Sequence, residues 1–356
     1  MPPAPDSARL PPGRLEPVAN ATGDRAGLVV AAYAAGESAT LCRGFTDRTG
    51  TVPVTDRTRF ELGSVTKTFT SLLLADLAVR GSVRLDERLG DRIPIRSLPR
   101  SAVAADITLE HLATHTSGLP RLPPGLLWTA LPSWTTNPYR AFPPDALLDS
   151  LAASRLRHTP GTRVRYSNFG VGLLGGLLTE RAATSYGALL HAHVLEPLAL
   201  TDTTADPAEP QATGHWHGRP RPPFLIPAMP AAGALRSSAR DLLRYLRGLI
   251  APHTAAPPGD PLNLALHEVT RPRRRAPGGP ELCLAWTRRA RPGRAPALYF
   301  HSGATRGFTA FIGFSQDPAV AVVALTNTAP GLHSRLVQAA YQLLRDLARE
   351  DRPERF

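Results

Sequence analysis

Among the 41 Lys and Arg residues of this 356-residue chain a single one is lysine, Lys67, and it stands three residues after Ser64 in Gly-Ser-Val-Thr-Lys. A general preference for arginine accounts for the other basic positions and leaves this exception unexplained. Arginine keeps its proton in any protein, whereas a desolvated lysine can fall toward neutrality and act as a base. On a helix, residues i and i+3 share a face, so Ser64 Oγ and Lys67 Nζ can meet. That is the arrangement of a nucleophile beside its activator. Ser-x-x-Lys alone arises by chance in many chains; the sole lysine singles this one out.

Two other segments carry groups that such chemistry needs. Tyr166-Ser167-Asn168 follows the turn residues Pro160-Gly161 and opens an expected helix. A nearby lysine cation would favour the Tyr166 phenolate and make it a proton shuttle; the competing reading is a buried tyrosine with a satisfied hydroxyl. His301-Ser302-Gly303-Ala304 ends an expected strand, where backbone N–H groups can face an oxyanion. Other signals are weaker. His191-x-His193 and His215-x-His217 lack a carboxylate or Cys at ligand spacing and read as surface or capping histidines, so no metal is expected. Trp128 and Trp134 read as loop anchors, and nothing makes Asp86 and Glu87 a carboxylate dyad.

Together these segments resemble the serine β-lactamase and penicillin-binding-protein superfamily, in particular its branch of class C β-lactamases, family VIII esterases, D-aminopeptidases and transacylases. The resemblance runs through residues 60–89, LATHTSGLP (112–120), RYSNFGVGLLGGLL (165–178), GALRSSARDLLRYL (233–246) and HSGATRGFTAFIGF (301–314), in order. It implies that Ser64 attacks an acyl carbon and that Lys67 with Tyr166 moves the protons. It further implies that Asn168 bonds substrate or Lys67, and that the backbone N–H groups of Ser64 and Ala304 form the oxyanion hole. His301, Ser302 and Gly303 would line the substrate, and Arg306 would bind a substrate anion or lie solvated. His301 stands where β-lactamases of this superfamily have Lys, as in its esterases, and a mostly neutral imidazole anchors a β-lactam carboxylate poorly.

The elements that must hold these groups can be read from pattern. Leu28–Phe45 has two apolar runs around Gly36, a hairpin. Val65–Val79 reads as a buried helix ending at Gly81, and Leu109–Thr114 as a short helix. Residues 120–144, with Trp128, Trp134 and seven prolines, read as irregular. Phe169–Ala182 is helical despite its glycines, which would mark close packing. Ser238 to Asp241 forms a capping box, with hydroxyl and carboxylate both serving backbone donors. Residues 252–280 read as a surface insertion. Residues 282–286, 297–301, 308–314 and 320–325 read as strands, and Leu336–Leu347 as an amphipathic helix. The expected fold is α/β (α+β): an antiparallel sheet built from both chain ends and flanked by helices, with a mostly helical insertion. The expected division is an irregular lead-in over 1–25, an α/β domain over 26–82 and 232–350, and an inserted helical domain over 83–231.

Composition bounds the rest. Apolar residues make up 42% and charged residues 20%, a globular balance. The net charge of +12 is dispersed, and its densest runs, Arg271–Arg275 and Arg288–Arg294, lack interleaved aromatics and read as solvated loops, so no nucleic-acid partner is expected. Cys42 and Cys283 are far apart and form no framework or CxxC pair. The first residues have no apolar h-region and no later run approaches ~18 apolar residues, which points to a cytoplasmic protein with no membrane partner. The reading that results is a serine hydrolase, without cofactor, cleaving an ester or amide of a small-molecule acyl donor. The alternative is a transacylase that passes the acyl group to an amine or alcohol acceptor. A β-lactamase or DD-peptidase, and a binding module acylated without turnover, rank lower.

Overall fold

The computed structural model describes residues 10–22, 26–251, 259–275, 279–291, 295–331 and 335–350. Its large sheet joins the two ends of the chain. Strands β1 (Leu28–Ala34) and β2 (Glu37–Arg43) come from one end. From the other come β3 (Arg274–Arg275), β4 (Glu281–Leu282), β5 (Thr287–Arg291), β6 (Ala295–Ala304), β7 (Thr309–Ser315) and β8 (Val320–Thr326). The order is β2-β1-β8-β7-β6-β5-β4-β3, with every neighbouring pair antiparallel. The β1–β2 hairpin turns at Ala35 and Gly36, both at positive φ, the turn type whose twist matches that of the strands.

Of helices α1 (Thr66–Val79), α2 (Leu109–Ala113), α3 (Asn168–Ala182), α4 (Ala239–Ile250), α5 (Pro261–Glu268) and α6 (Leu336–Glu350), α4 and α6 flank this sheet, while α1 packs on α3 and α5, and α2 on α3. Alternation along the strands sets the layers. In β8, Val320, Val322 and Ala324 pack with Leu336, Ala340 and Leu344 of α6, while Ala321, Val323 and Leu325 join the core that holds Leu242 and Leu246 of α4. Each Val or Leu so buried contributes roughly 1.5–3 kcal/mol. The mixed fold with an antiparallel sheet flanked by helices is thus present as expected.

α1 is buried all round from Thr66 to Leu77, so no apolar stripe can set its rotation. Polar rivets do so instead. Thr70 Oγ1 donates to Ala231 O at 2.8 Å, and Thr66 Oγ1 accepts from Leu235 N–H at 3.1 Å. α3 packs against the same segment from the other side. A Cβ on Gly172 would stand 2.4 Å from Met229 Cγ, and one on Gly175 2.2 Å from Ala231 Cβ, so these glycines do mark close packing.

Several expectations differ from what is found. The lead-in is not irregular throughout: Pro12–Leu15 and Glu16–Ala19 are helical turns, and Leu15, Val18 and Ala19 are buried with α6. Residues 1–9 and 23–25 lie outside the described residues. The run 282–286 is a strand only at Leu282. Cys283–Trp286 is a buried turn closed by Cys283 N–H donating to Trp286 O at 2.9 Å, with Ala285 at φ 59°, and pairing resumes in β5 within the basic run assigned to a loop. An apolar run looks the same whether its burial comes from a strand or a packed turn. The segment 252–280 is not merely a surface insertion, because α5 buries Leu262, Ala265 and Leu266 and packs on α1; residues 252–258 and 276–278 of it lie outside the described residues. At Ser238 only half of the capping box forms. The hydroxyl accepts from Asp241 N–H, while the Asp241 carboxylate accepts from Asp202 N–H and the Thr203 hydroxyl.

Candidate active site

Ser64 sits in a 3₁₀ turn, Gly63–Val65, that runs straight into α1. In such a turn residues three apart nearly eclipse, which strengthens the expected face sharing. Lys67 Nζ lies 3.0 Å from Ser64 Oγ and donates to Ala232 O at 2.6 Å. Tyr166 Oη, just ahead of α3, donates to the same Oγ at 2.6 Å. Lys67 is wholly buried and meets no carboxylate among the described residues. Burial, and then the Arg121 cation, hold its ammonium down to about 7, so an appreciable fraction of the amine is free at neutral pH.

Tyr166 requires a correction. Its hydroxyl is pushed up to about 12, chiefly by burial, with the Ser64 bond and Arg121 pulling the other way. An amine that is itself losing its charge cannot hold a phenolate beside it. At neutral pH Tyr166 is a neutral hydroxyl that donates to Ser64 Oγ, and of the two groups Lys67 is the one that can be free of its proton.

The third segment approaches the serine through bare backbone. Gly63 has φ 50°, and a Cβ there would stand 2.4 Å from Ala304 O and 2.8 Å from Ala304 N. A Cβ on Gly303 would stand 2.0 Å from Leu62 O and 2.9 Å from Ser64 N. Only glycine fits at both positions, and the contact brings the main chains of Ser64 and Ala304 against each other. His301, pushed down to about 4 by burial and then by Lys67, is neutral at pH 7; its Nδ1 lies 2.8 Å from Ser302 O. Ser302 is exposed and lines the cavity with Gly303.

Asn168 does not bond Lys67. Its Nδ2 donates to Tyr139 Oη at 3.0 Å, and its Oδ1 is buried without a partner at the cavity wall. Arg306 is not a free solvated side chain: it donates to Trp134 O at 3.0 Å and lies over Trp216, with Cζ 5.4 Å from the ring centroid. Trp128 is 81% exposed and anchors nothing, although the 126–130 segment around it is helical.

Three residues at the site escape sequence reasoning. His115, at φ 58°, tilts against Tyr166 with ring centroids 4.4 Å apart and accepts from Ser167 N–H at 3.3 Å through Nδ1, which leaves its proton on Nε2. Burial, then Lys67 and His301, hold it down to about 3. Arg121 places its guanidinium 5.5 Å from the Tyr166 ring centroid on a loop, and Tyr139 orients Asn168. The signals available were that His115 lies in the 112–120 segment and that Arg121 and Tyr139 lie in the irregular 120–144 stretch, a candidate pocket lining.

Ser64 opens on two lobes. The larger, about 680 Å³, is lined by His115, Tyr166, His301 and Ser302. The smaller, about 320 Å³, is mostly apolar, lined by Leu122, Leu126, Trp134, Phe224 and Ile226. The arrangement can form and break an acyl–oxygen bond at Oγ with a base in contact and backbone donors nearby. Elsewhere, one member of each histidine pair serves structure. His193 Nδ1 lies 2.7 Å from Asp76 Oδ2 across the chain, which makes it more than a surface or capping residue, and His215 is buried near Asn327 O. No group of three or more metal-binding side chains occurs among the described residues, and no helix among them is long and apolar enough to cross a membrane.

A family model described as Beta-lactamase matches residues 14–347. The beta-lactamase of Yersinia enterocolitica is 26% identical over 355 residues, spanning 90% of this chain and 87% of that protein. Esterase EstB of Burkholderia gladioli is 31% identical over 187 residues, 51% of this chain and 47% of the esterase. The crystal structure of a beta-lactamase/D-alanine carboxypeptidase from Pseudomonas syringae shares the fold, with a TM-score of 0.77 at 23% identity over 93% of this chain and 98% of that one.

Proposed function

The chain belongs to the beta-lactamase family of serine hydrolases, and from that premise we propose that it cleaves a small-molecule ester or amide through an acyl-Ser64 intermediate. The observation that carries this reading is a serine hydroxyl held between a largely desolvated amine and a neutral phenol. Lys67 takes the Oγ proton as Oγ bonds the acyl carbon, and the carbonyl electron pair moves onto oxygen. That oxyanion faces the N–H groups of Ser64 and Ala304, where losing one donor costs ~2.7–4 kcal/mol of barrier. Collapse expels the leaving group, which takes its proton from Lys67, while the Tyr166 hydroxyl keeps its hydrogen bond to Oγ. Water then gives a proton to Lys67, attacks the acyl carbon and frees Ser64 with its proton restored. On this reading Asn168, which lines both lobes beside Ser64, contacts the substrate. His301 is neutral at pH 7, so it offers a β-lactam carboxylate no ion pair at the position where β-lactamases carry Lys.

The two lobes that meet at Ser64 favour one second reading, a transacylase, with the acyl group in one lobe and an amine or alcohol acceptor in the other. Intact-protein mass after addition of nitrophenyl esters tests both. Wild type should gain the acyl mass and turn over, and Ser64→Ala should do neither. Persistent labelling of Ser64→Ala would overturn the assignment. Deacylation that is slow in water and quickened by added amines supports transfer, and stoichiometric labelling without any turnover supports a binding module.

A further inference from the structure

We propose that Arg121 forms an anion subsite beside Ser64 and that the substrate carries a carboxylate that docks on it. This rests on the acyl-Ser64 reading and adds a substrate class to it.

Arg121 lines both lobes, and its main chain is fixed: its carbonyl accepts from Asn168 N–H at 3.0 Å and Phe169 N–H at 3.3 Å, at the start of α3. The guanidinium thus hangs from a rigid point next to the residue pair that holds Ser64. Its one contact among the described residues is the face of Tyr166, which leaves its N–H groups open. Arg306, the other arginine at the site, already donates to Trp134 O and stacks on Trp216. Neither lobe is lined by Asp or Glu, and His115 and His301 are neutral at pH 7. Arg121 is therefore a permanent cation with a planar fork of donors, lining the same two lobes as the reacting serine and without a counter-ion among the described residues. A carboxylate matches that fork with two parallel bonds.

The contact also couples to chemistry. Arg121 disfavours charge on Lys67, so an anion docked on Arg121 offsets that effect and returns basicity to the amine. With an anionic substrate bound, Lys67 would hold its proton to higher pH than with a neutral one, so the pH profile would level off later.

Two measurements test the subsite. The first compares mono-4-nitrophenyl glutarate with its methyl ester as acyl donors. Wild type should prefer the free acid by about tenfold in kcat/KM, Arg121→Gln should bring the ratio near unity, and Arg121→Lys should keep part of it. The second is calorimetry of monomethyl succinate, glutarate and adipate on the Ser64→Ala protein, which reads docking without acylation. At least one should bind, about tenfold more weakly after Arg121→Gln and more weakly at high salt. No binding by any of the three, or a free-acid preference unchanged in Arg121→Gln, overturns the subsite. Binding that responds to Arg121 while neither ester acylates wild type upholds the subsite and defeats the hydrolase reading.

Discussion

The two ends of α1 each bury a charged side chain, and they treat it in opposite ways. Asp76, near the C-terminal end, has no exposed surface and is met by Arg80 Nε at 2.8 Å and His193 Nδ1 at 2.7 Å. Lys67, at the N-terminal end, is equally buried and meets a hydroxyl and a carbonyl. With basic partners at hand, the carboxylate ties α1 to the 191–195 turn and serves as structure. Without an acidic partner, the amine bears the full desolvation penalty and is driven to a protonation state useful at neutral pH. Pairing separates a buried charge that holds the fold from one that does chemistry.

Four experiments sharpen or break this contrast. Lys67→Arg keeps a cation but cannot accept a proton, and should lower the rate of Ser64 acylation by ~10³-fold or more in stopped-flow kinetics; activity near wild type would mean that charge, not basicity, is what the position supplies. His193→Ala removes one of the partners of Asp76 and should cost roughly 2–4 kcal/mol in urea unfolding, with kcat/KM of the folded protein nearly unchanged. Lys67→Met should do the reverse, abolishing turnover while adding roughly 1–3 kcal/mol of stability at pH 7. The sign follows from protons: the folded lysine titrates at about 7 and the unfolded one near its ordinary 10.5, so the unfolded chain binds more protons between these values. Wild-type stability therefore rises with pH across that window, and the advantage of Met shrinks toward pH 10. Last, log kcat/KM of wild type should rise with unit slope, ~tenfold per pH unit, and level off above about pH 7. A profile flat from pH 5 to 8 would show that Lys67 does not titrate there.

The pair at the centre of the site was legible because one helical turn suffices to join Ser64 to Lys67, and the chain's arginine bias made the lysine conspicuous. β8 and α6 were legible from pattern, β8 as an unbroken apolar run of central-strand length and α6 as a long helix-period run buried on one face. His115 and Arg121 were not, because they sit on a loop whose path depends on a positive φ and on hydrogen bonds to a segment some fifty residues away in sequence. The state of Tyr166 was misread because it depends on how dry Lys67 is, which no local pattern reports. Residues 283–286 were misread because apolar composition records burial and not conformation.

On the proposed mechanism, the meeting of Gly63 with Gly303 and Ala304 makes catalysis depend on a contact between distant parts of the chain. The serine and its amine belong to one local turn, whereas Ala304, the second of the proposed oxyanion donors, arrives from β6. A slight parting of that strand from the turn would leave the hydroxyl and amine in contact and still extinguish turnover. Rate would then fall before spectroscopic signals of helix or sheet change, and an enzyme assay would register the earliest loosening of the molecule under denaturant or heat.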